Sequence, residues 1–177
     1  MLKLQGIAVS SGVTIGEALV LDSEGFRIPR RFVARSAVDT ELQRLSNAVA
    51  ESTAEIKKNR DAVRGELGEQ YAAIFDAHLA MLHDQRLQEE LTSAVRDRNW
   101  WPEYAVSRTL RRYAKVFQKL DNHIAQRAHD IYDIEKSLLR NLLGQRRETL
   151  ASISEPVVIL AHNLTPSETA NLDRRFV

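Results

Sequence analysis

The spacing of apolar residues divides the chain into a long helical middle and two short ends of strand character. Between Ser36 and Gly144, apolar residues recur every three or four positions, which is the spacing of amphipathic helices. Residues 4–9 and 14–21 instead read as two short β-segments around a glycine turn. Residues 156–161 are a continuous apolar run, which predicts a strand buried on both faces of a parallel or mixed sheet. The pattern therefore predicts a small α/β body interrupted by an inserted antiparallel helical bundle.

Start and stop signals place the helices of that bundle. Ser36 followed by Asp39 resembles an N-cap with a first-turn carboxylate, and it opens one long amphipathic helix that Gly65 and Gly68 end or loosen. Pro102 suits the first turn of another helix, and Gly144 is placed to cap the last one at its C-terminal end. Beyond the apolar run, the letters HNLTPSE predict a further helix with an N-cap threonine and an N1 proline.

The segment 73–87, AIFDAHLAMLHDQRL, combines a helical stripe with a predicted break. Asp84 can cap a new helix that begins at Gln85, so the segment reads as a helix, a kink and a second helix. A competing interpretation is that the whole stripe is buried core. The residues around the kink form a small mixed patch that a partner protein can bind: His78, Met81, His83, Arg86 and Leu87.

Composition limits the classes of protein. The chain has 177 residues, 44% of them hydrophobic, and a formal net charge of only +1, so nothing global favours nucleic acid or a membrane surface as partner. Cysteine is absent, which excludes disulfides, thiolate nucleophiles and cysteine metal sites. No apolar run approaches the ~20 residues of a membrane span, and the start lacks a signal-peptide pattern. We therefore expect a cytoplasmic protein.

The spacing of glycine, histidine and tryptophan residues gives little support for a nucleotide, metal or aromatic binding site. The glycines near the N-terminus fit neither GxGxxG nor a P-loop, so nucleotide binding is not expected. His78 and His83 are five residues apart and point from different faces of a helix, so no metal site is expected. Trp100 and Trp101 could form a binding platform, but plugging one end of the bundle is the favoured interpretation.

Two aspartates three residues apart are a further candidate site. Asp130 and Asp133 share a helix face, as a catalytic carboxylate pair would. Ion pairs with Arg127 or Lys136, at helical separations of three, are the favoured interpretation.

Four stretches occur in the order and spacing of one enzyme family. They are GIAVSSGVTIGEA, AIFDAHLAMLHD, RAHDIYDIEKSLLRNLLG and ILAHNLTPSETANL. Over essentially its whole length, the chain resembles the N-terminal half of enzyme I, the phosphoenolpyruvate–protein phosphotransferase of the bacterial sugar phosphotransferase system. One departure is Ser11, where the family usually has proline; it is mild because Gly12 is retained.

The resemblance implies a fold and an activity. The fold would be mainly α: a helical domain over residues 35–144 that docks the phosphocarrier protein HPr, inserted in an incomplete swivelling phosphohistidine α/β domain over residues 1–34 and 145–177. The full-length enzyme would be a transferase that, with Mg²⁺, takes a phosphoryl group from phosphoenolpyruvate onto a histidine and passes it to HPr for sugar uptake. It would form a homodimer through a C-terminal domain.

The family's phosphorylated histidine lies in a GG-x-[ST]-S-H motif that would follow Val177. We therefore expect no catalytic residue, metal or cofactor in this chain, and no phosphorylation of the chain or of HPr by phosphoenolpyruvate and magnesium. The resemblance places Thr169 beside the missing histidine, as a hydrogen-bond partner. We also expect uneven stability, with a cooperative bundle and an α/β remnant that frays or pairs with a second copy.

The resemblance also maps a partner-binding face onto the kinked pair and the last bundle helix. Gln85 and Arg86 stand where the family often offers acidic residues to a basic HPr, so affinity should depend more on an apolar centre of Ile74, Met81 and Leu87. The face comprises Glu69, Gln70, Ile74, His78, Ala80, Met81, Asp84, Gln85, Arg86, Leu87, His123 and Arg127.

Two other functions remain open from the sequence. A nitrogen-regulatory paralogue of enzyme I would share these motifs and carry a sensory domain upstream. A non-enzymatic helical docking module would lack the downstream histidine motif and barrel domain.

Overall fold

A computed structural model describes residues 6–7, 12–21, 28–120, 127–144, 155–161, 164–170, 172 and 175. Within them, two strands flank a run of helices. The elements in chain order are β1 (Glu17–Leu21), a 3₁₀ turn (Arg35–Ala37), α1 (Val38–Leu67), α2 (Glu69–Leu82), α3 (Gln85–Arg96), α4 (Pro102–Phe117), α5 (Ala128–Leu142), β2 (Val157–Ala161) and α6 (Pro166–Thr169). The prediction of a mainly α chain with a small sheet is confirmed.

The long helix α1 begins later than its capping signal predicts. The chain enters it through the 3₁₀ turn, so Ala37 takes the N-cap position and no side chain caps the helix. The assignment of Ser36 as N-cap was therefore wrong. The end was predicted well: α1 stops at Leu67, and Gly68 has φ +96°, a left-handed value that glycine tolerates without strain.

Four helices pack against α1 or against each other in antiparallel pairs. Contacts join α1 to α2 and α5, α3 to α4, and α4 to α5. Polar contacts reinforce the packing: Glu55 of α1 accepts a hydrogen bond from Arg140 of α5 at 2.8 Å. One apolar cluster fills the centre, including Leu45, Ile56, Phe75, Leu82, Leu91, Val106, Ile134, Leu138 and Leu139.

The tandem tryptophans join the bundle to the segment that enters it. Trp101 N donates to Arg31 O at 3.2 Å, Val33 N donates to Asn99 O at 2.7 Å, and Phe32 forms an antiparallel bridge with Trp100. The Arg31 guanidinium lies 5.3 Å from the Trp101 ring centre, a cation–π arrangement. These contacts agree with the interpretation of the pair as a plug at one end of the bundle.

The sheet consists of β1 and β2 in parallel, in register from Glu17 opposite Val157 to Leu21 opposite Ala161. Residues 156–161 were predicted to form a strand of a parallel or mixed sheet, and the parallel pairing agrees with that prediction. Burial on both faces is not observed, because β2 is half-buried at Val157–Ile159 and exposed at its last two residues. Of the first predicted β-segment, residues 4–9, only residues 6 and 7 are described, and neither lies in a strand. Strand β1 covers only part of the second predicted segment.

The short helix α6 follows β2 with the capping chemistry that its sequence predicts. Thr165 Oγ1 accepts from Glu168 N, the Glu168 carboxylate accepts from Thr165 N, and Pro166 occupies the first position. This reciprocal capping box satisfies two backbone donors that the helix leaves unpaired. In the described part of the chain, no helix is both long and apolar enough to cross a bilayer.

The fold predicts uneven protection from hydrogen exchange. Leu138 and Leu139 on α5 are 0% and 1% exposed, whereas Leu160 on β2 is 38% exposed. We expect amides of Val157–Ala161 to exchange about 100-fold faster than those of residues 138–142, because a half-buried two-stranded sheet opens locally. Exchange followed by NMR at low protein concentration checks this. Equal protection of the two segments in a monomer would contradict it.

Candidate functional site

The kink between α2 and α3 is built by local backbone and capping contacts. His83 N donates to Leu79 O at 3.0 Å, which closes the last turn of α2. Asp84 then caps α3, because its Oδ1 accepts from Leu87 N at 2.9 Å. The Gln88 side chain donates to Leu82 O at 2.6 Å and covers an end carbonyl of α2. The predicted helix, kink and second helix are thus confirmed.

The structure sorts the predicted docking residues by exposure. Most of the polar members are exposed, for example Arg86 with 82% of its side chain accessible, and the apolar Ile74 and Met81 are half-buried. Two members are buried: Leu87 is 3% and His78 is 1% exposed. Leu87 packs inward because it lies one turn into α3 on its core side, so the apolar centre reduces to Ile74 and Met81. The exposed members are Glu69, Gln70, Ala80, Asp84, Gln85, Arg86 and Arg127, and His123 lies outside the described residues.

The carboxylates at this face are already engaged within the chain. Glu69 makes a two-pronged ion pair with Arg64, at 2.6 and 2.9 Å. The same hydrogen bond lowers the pKa of Glu69. Arg60 lies 3.2 Å from Asp76, and Asp84 is used as the cap of α3. Glu69 and Asp76 therefore present little unpaired negative charge to a partner, whereas the exposed Asp84 keeps its charge, because its hydrogen bond comes from a neutral backbone N–H.

His78 lies inside the bundle between two carboxylates of α5. Its Nε2 is 3.4 Å from Asp130 Oδ1, and its Nδ1 is 3.8 Å from Asp133 Oδ2. Both separations are long for hydrogen bonds, so the ring interacts with them chiefly through charge and dipole. The two aspartates are 5% and 4% exposed, and Phe75 contacts the ring edge-on with centroids 5.8 Å apart. His78 therefore belongs to the interior, and its assignment to the surface of the docking face was wrong.

One of these aspartates, Asp133, also connects the bundle to α6. Asp133 Oδ2 accepts from Ser167 N at 3.2 Å, and Lys136 of α5 forms an ion pair with Glu168. Arg127 pairs with Asp130 at 3.1 Å, which is one of the two ion pairs predicted from helical spacing. Lys136, the other predicted partner, instead pairs with Glu168 of α6.

A groove of about 330 Å³ lies where α1 and α2 meet α6. Ile74 of the docking face and Thr169 of α6 both line it, so the structure brings these two predicted site residues to one cavity. The Thr169 hydroxyl donates to backbone carbonyls of its own helix, Thr165 O at 2.8 Å and Pro166 O at 3.1 Å. Among the described residues, no group of three or more histidine or acidic side chains is arranged to hold a metal ion.

Comparison with known proteins assigns the chain to a family. The family model described as "PEP-utilising enzyme, N-terminal" matches residues 5–127. The chain belongs to this family. A phosphoenolpyruvate–protein phosphotransferase of Priestia megaterium is 37% identical over 176 residues, which cover 99% of this chain and 30% of the relative. The Bacillus subtilis protein of the same name is 34% identical over 178 residues, covering 100% and 31%.

Two solved structures have folds similar to that of this member of the PEP-utilising enzyme N-terminal family. The solution structure of an enzyme I protein, nEIt, matches with a TM-score of 0.74 and 30% identity, covering 89% of this chain and 64% of that one. The N-terminal domain of "Enzyme 1 - Nitrogen" has a TM-score of 0.69 over 92% of this chain and 66% of that one; its 24% identity supports the fold alone. The chain is thus homologous to the N-terminal part of enzyme I, and it spans about 30% of the length of the curated relatives it matches.

Sequence reasoning missed the grouping of His78, Asp130 and Asp133. The available signal was that all three lie on the apolar stripes of their helices, where an ionisable group must find a partner when buried. Spacing within α5 pointed to neighbours on the same helix. It could not reveal a histidine some 50 residues earlier or a backbone N–H of α6.

Removing the buried ring tests this interior role. We expect His78→Ala to lower the free energy of unfolding by about 2–4 kcal/mol, because it opens a cavity and leaves two buried carboxylates without the ring. The matched control is His83→Ala, since His83 is exposed and its Nε2 lies 3.1 Å from Thr53 Oγ1 at the surface. Urea unfolding of both variants measures the difference. An equal decrease in the free energy of unfolding in the two variants would show that the His78 ring does not stabilise the interior.

The stability of this family member should fall at acidic pH. Burial alone raises the pKa of Asp130 and of Glu168, but their bonds outweigh it, so that each pKa lies below its ordinary value of 3.8 or 4.5. A carboxyl whose folded pKa is depressed stabilises the fold above its unfolded pKa, and that contribution disappears as the pH falls through the folded pKa. Glu135 acts oppositely, because burial raises its pKa and its contribution is lost as the pH rises.

Urea unfolding between pH 3 and 7 measures how the stability changes with pH. We expect stability to decline below about pH 4.5 and Glu168→Gln to flatten the decline, while Glu66→Gln, at an exposed position of α1, leaves the profile unchanged. A Glu168→Gln profile with the wild-type slope would contradict the assignment.

Proposed function

We propose that the kink between α2 and α3 docks the phosphocarrier protein HPr, within a phosphoenolpyruvate–protein phosphotransferase that delivers phosphoryl groups for sugar uptake. The observation that carries the proposal is the half-buried pair Ile74 and Met81, set among exposed polar side chains on a rigid helical pair. A small apolar centre with a polar rim is the usual anatomy of a transient protein interface.

The position of the face relative to α6 supports phosphoryl transfer rather than simple adhesion. Ile74 lines the same groove as Thr169, the residue that the family resemblance places beside the phosphorylated histidine. A carrier protein bound at the kink would therefore lie next to the region from which it receives its phosphoryl group. Proximity of this kind is the main requirement of group transfer between two proteins.

The rest of the reaction would be supplied outside this chain. Phosphoryl transfer needs a nucleophile together with cations or Mg²⁺ that balance the developing charge. We propose that phosphoenolpyruvate and Mg²⁺ are bound by the other domains of the full-length enzyme, as the family resemblance implies, and that this chain supplies partner recognition. Its helices then act as a docking platform.

Truncating the apolar centre tests the docking. We expect Met81→Ala to weaken binding of HPr from the same genome by about 1–3 kcal/mol, because a central apolar contact is lost while the fold is kept. Isothermal titration calorimetry measures the change. The control is Leu143→Ala, which truncates a 40% exposed leucine just past the opposite end of α5 from Arg127. Unchanged affinity for Met81→Ala, with normal binding by the wild type, would remove this face from consideration.

A further inference from the structure

An open groove of about 540 Å³ runs between α3 and α4. Segment 85–117, which forms this helical pair, contains seven arginine or lysine residues and four aspartate or glutamate residues. Positive charge is therefore concentrated on one part of a chain whose formal net charge is +1. Four arginines line the groove beside a tryptophan: Arg86, Arg98, Arg108, Arg112 and Trp100.

The carboxylates of the groove do not neutralise these cations. Glu90 pairs with Arg112 and lies 3.6 Å from Arg86, so one carboxylate serves two guanidinium groups. Glu89, the second acidic lining residue, accepts from the Gln85 amide at 2.8 Å. Among the residues that the structure describes, Arg108 has no carboxylate within ion-pairing distance.

The remaining arginine is held by an aromatic ring. The Arg98 guanidinium lies over Trp100, 5.0 Å from the ring centre. The ring in turn contacts Tyr104 edge-on at 5.0 Å, which fixes its orientation. A stacked guanidinium keeps its N–H edge free for a carboxylate, so the groove presents donors that are already positioned.

The shape of the groove favours a protein segment over a small molecule. Small-molecule sites are concave and mostly apolar, and they bury most of the ligand, whereas this groove is open and lined chiefly by charged side chains. It is also continuous with the kink, because Arg86 belongs to both surfaces. On the α2 side of the kink, Glu69 and Asp76 are paired with arginines of α1. The groove itself offers a partner net positive charge, because its lining contains four arginines and two glutamates.

We infer that the protein docking at the kink presents an acidic segment to the α3–α4 groove, where it pairs with Arg86, Arg98 and Arg108. The inference rests on the proposed function and adds a partner of stated chemistry: an HPr with clustered aspartate or glutamate side chains next to its apolar contact, in place of the basic HPr that the family resemblance implies. Such rim charges set the association rate and the choice of partner more than the final affinity.

Association kinetics of the chain with HPr from the same genome test the inference. We expect Arg108→Glu to lower the association rate constant about 5–10-fold at 50 mM NaCl, with the difference largely gone at 500 mM. The control is Arg96→Glu, which changes the net charge equally at an exposed position of α3 outside the groove. It should slow association about 2-fold or less. An equal effect of both variants, or no effect of Arg108→Glu, would overturn the inference while leaving the Met81→Ala result to decide the docking itself.

Titration with synthetic octaglutamate keeps the two hypotheses separate if HPr does not bind. Binding of octaglutamate to the wild type and its loss in Arg108→Glu, with no binding of octalysine, would support an acidic-segment site even though the proposed function had failed. No binding of octaglutamate would overturn the site. Binding of tripolyphosphate without octaglutamate would also overturn it and would assign the groove to small phosphates.

Discussion

Burial of three ionisable side chains where α2, α5 and α6 meet is the constraint on which the rest of the structure depends. His78 contributes a ring to an interior that also contains Asp130 and Asp133, and none of the three is more than 5% exposed. Charges in such surroundings are tolerated only when they have partners. Each aspartate accordingly has a second contact, with Arg127 or with Ser167 N. The relative positions of three helices are thereby coupled through one polar cluster.

This coupling relates the docking face to the α/β end of the chain. The helix that carries Ile74 and Met81 on its outer side carries His78 on its inner side. The aspartates that contact His78 lie on α5, and Asp133 also holds the N-terminal end of α6. A shift of α6 would therefore alter the surroundings of a ring one turn away from the docking residues. Direct contacts therefore link the geometry of the docking face on α2 to the position of α6.

Features that depend on neighbouring residues could be predicted from the sequence, and features that depend on distant ones could not. The N-caps at Asp84 and Thr165 and the N1 proline at Pro102 were predicted correctly, because each rests on chemistry within four residues. Ser36 failed as a cap because the incoming chain makes a 3₁₀ turn there. The burial of Leu87 and the contacts of Asp133 follow from how separate helices pack, and no local spacing contains that information.

The two tryptophans of the chain share one end of the bundle, so its intrinsic fluorescence is a local optical probe. Trp101 lies beneath two guanidinium groups and reports on the entering segment, while Trp100 borders the groove between α3 and α4. Neither ring is part of the kink. Emission is therefore sensitive to whatever occupies the groove and insensitive to a molecule that touches only Ile74 and Met81, which makes the two modes of binding spectroscopically distinguishable without a label.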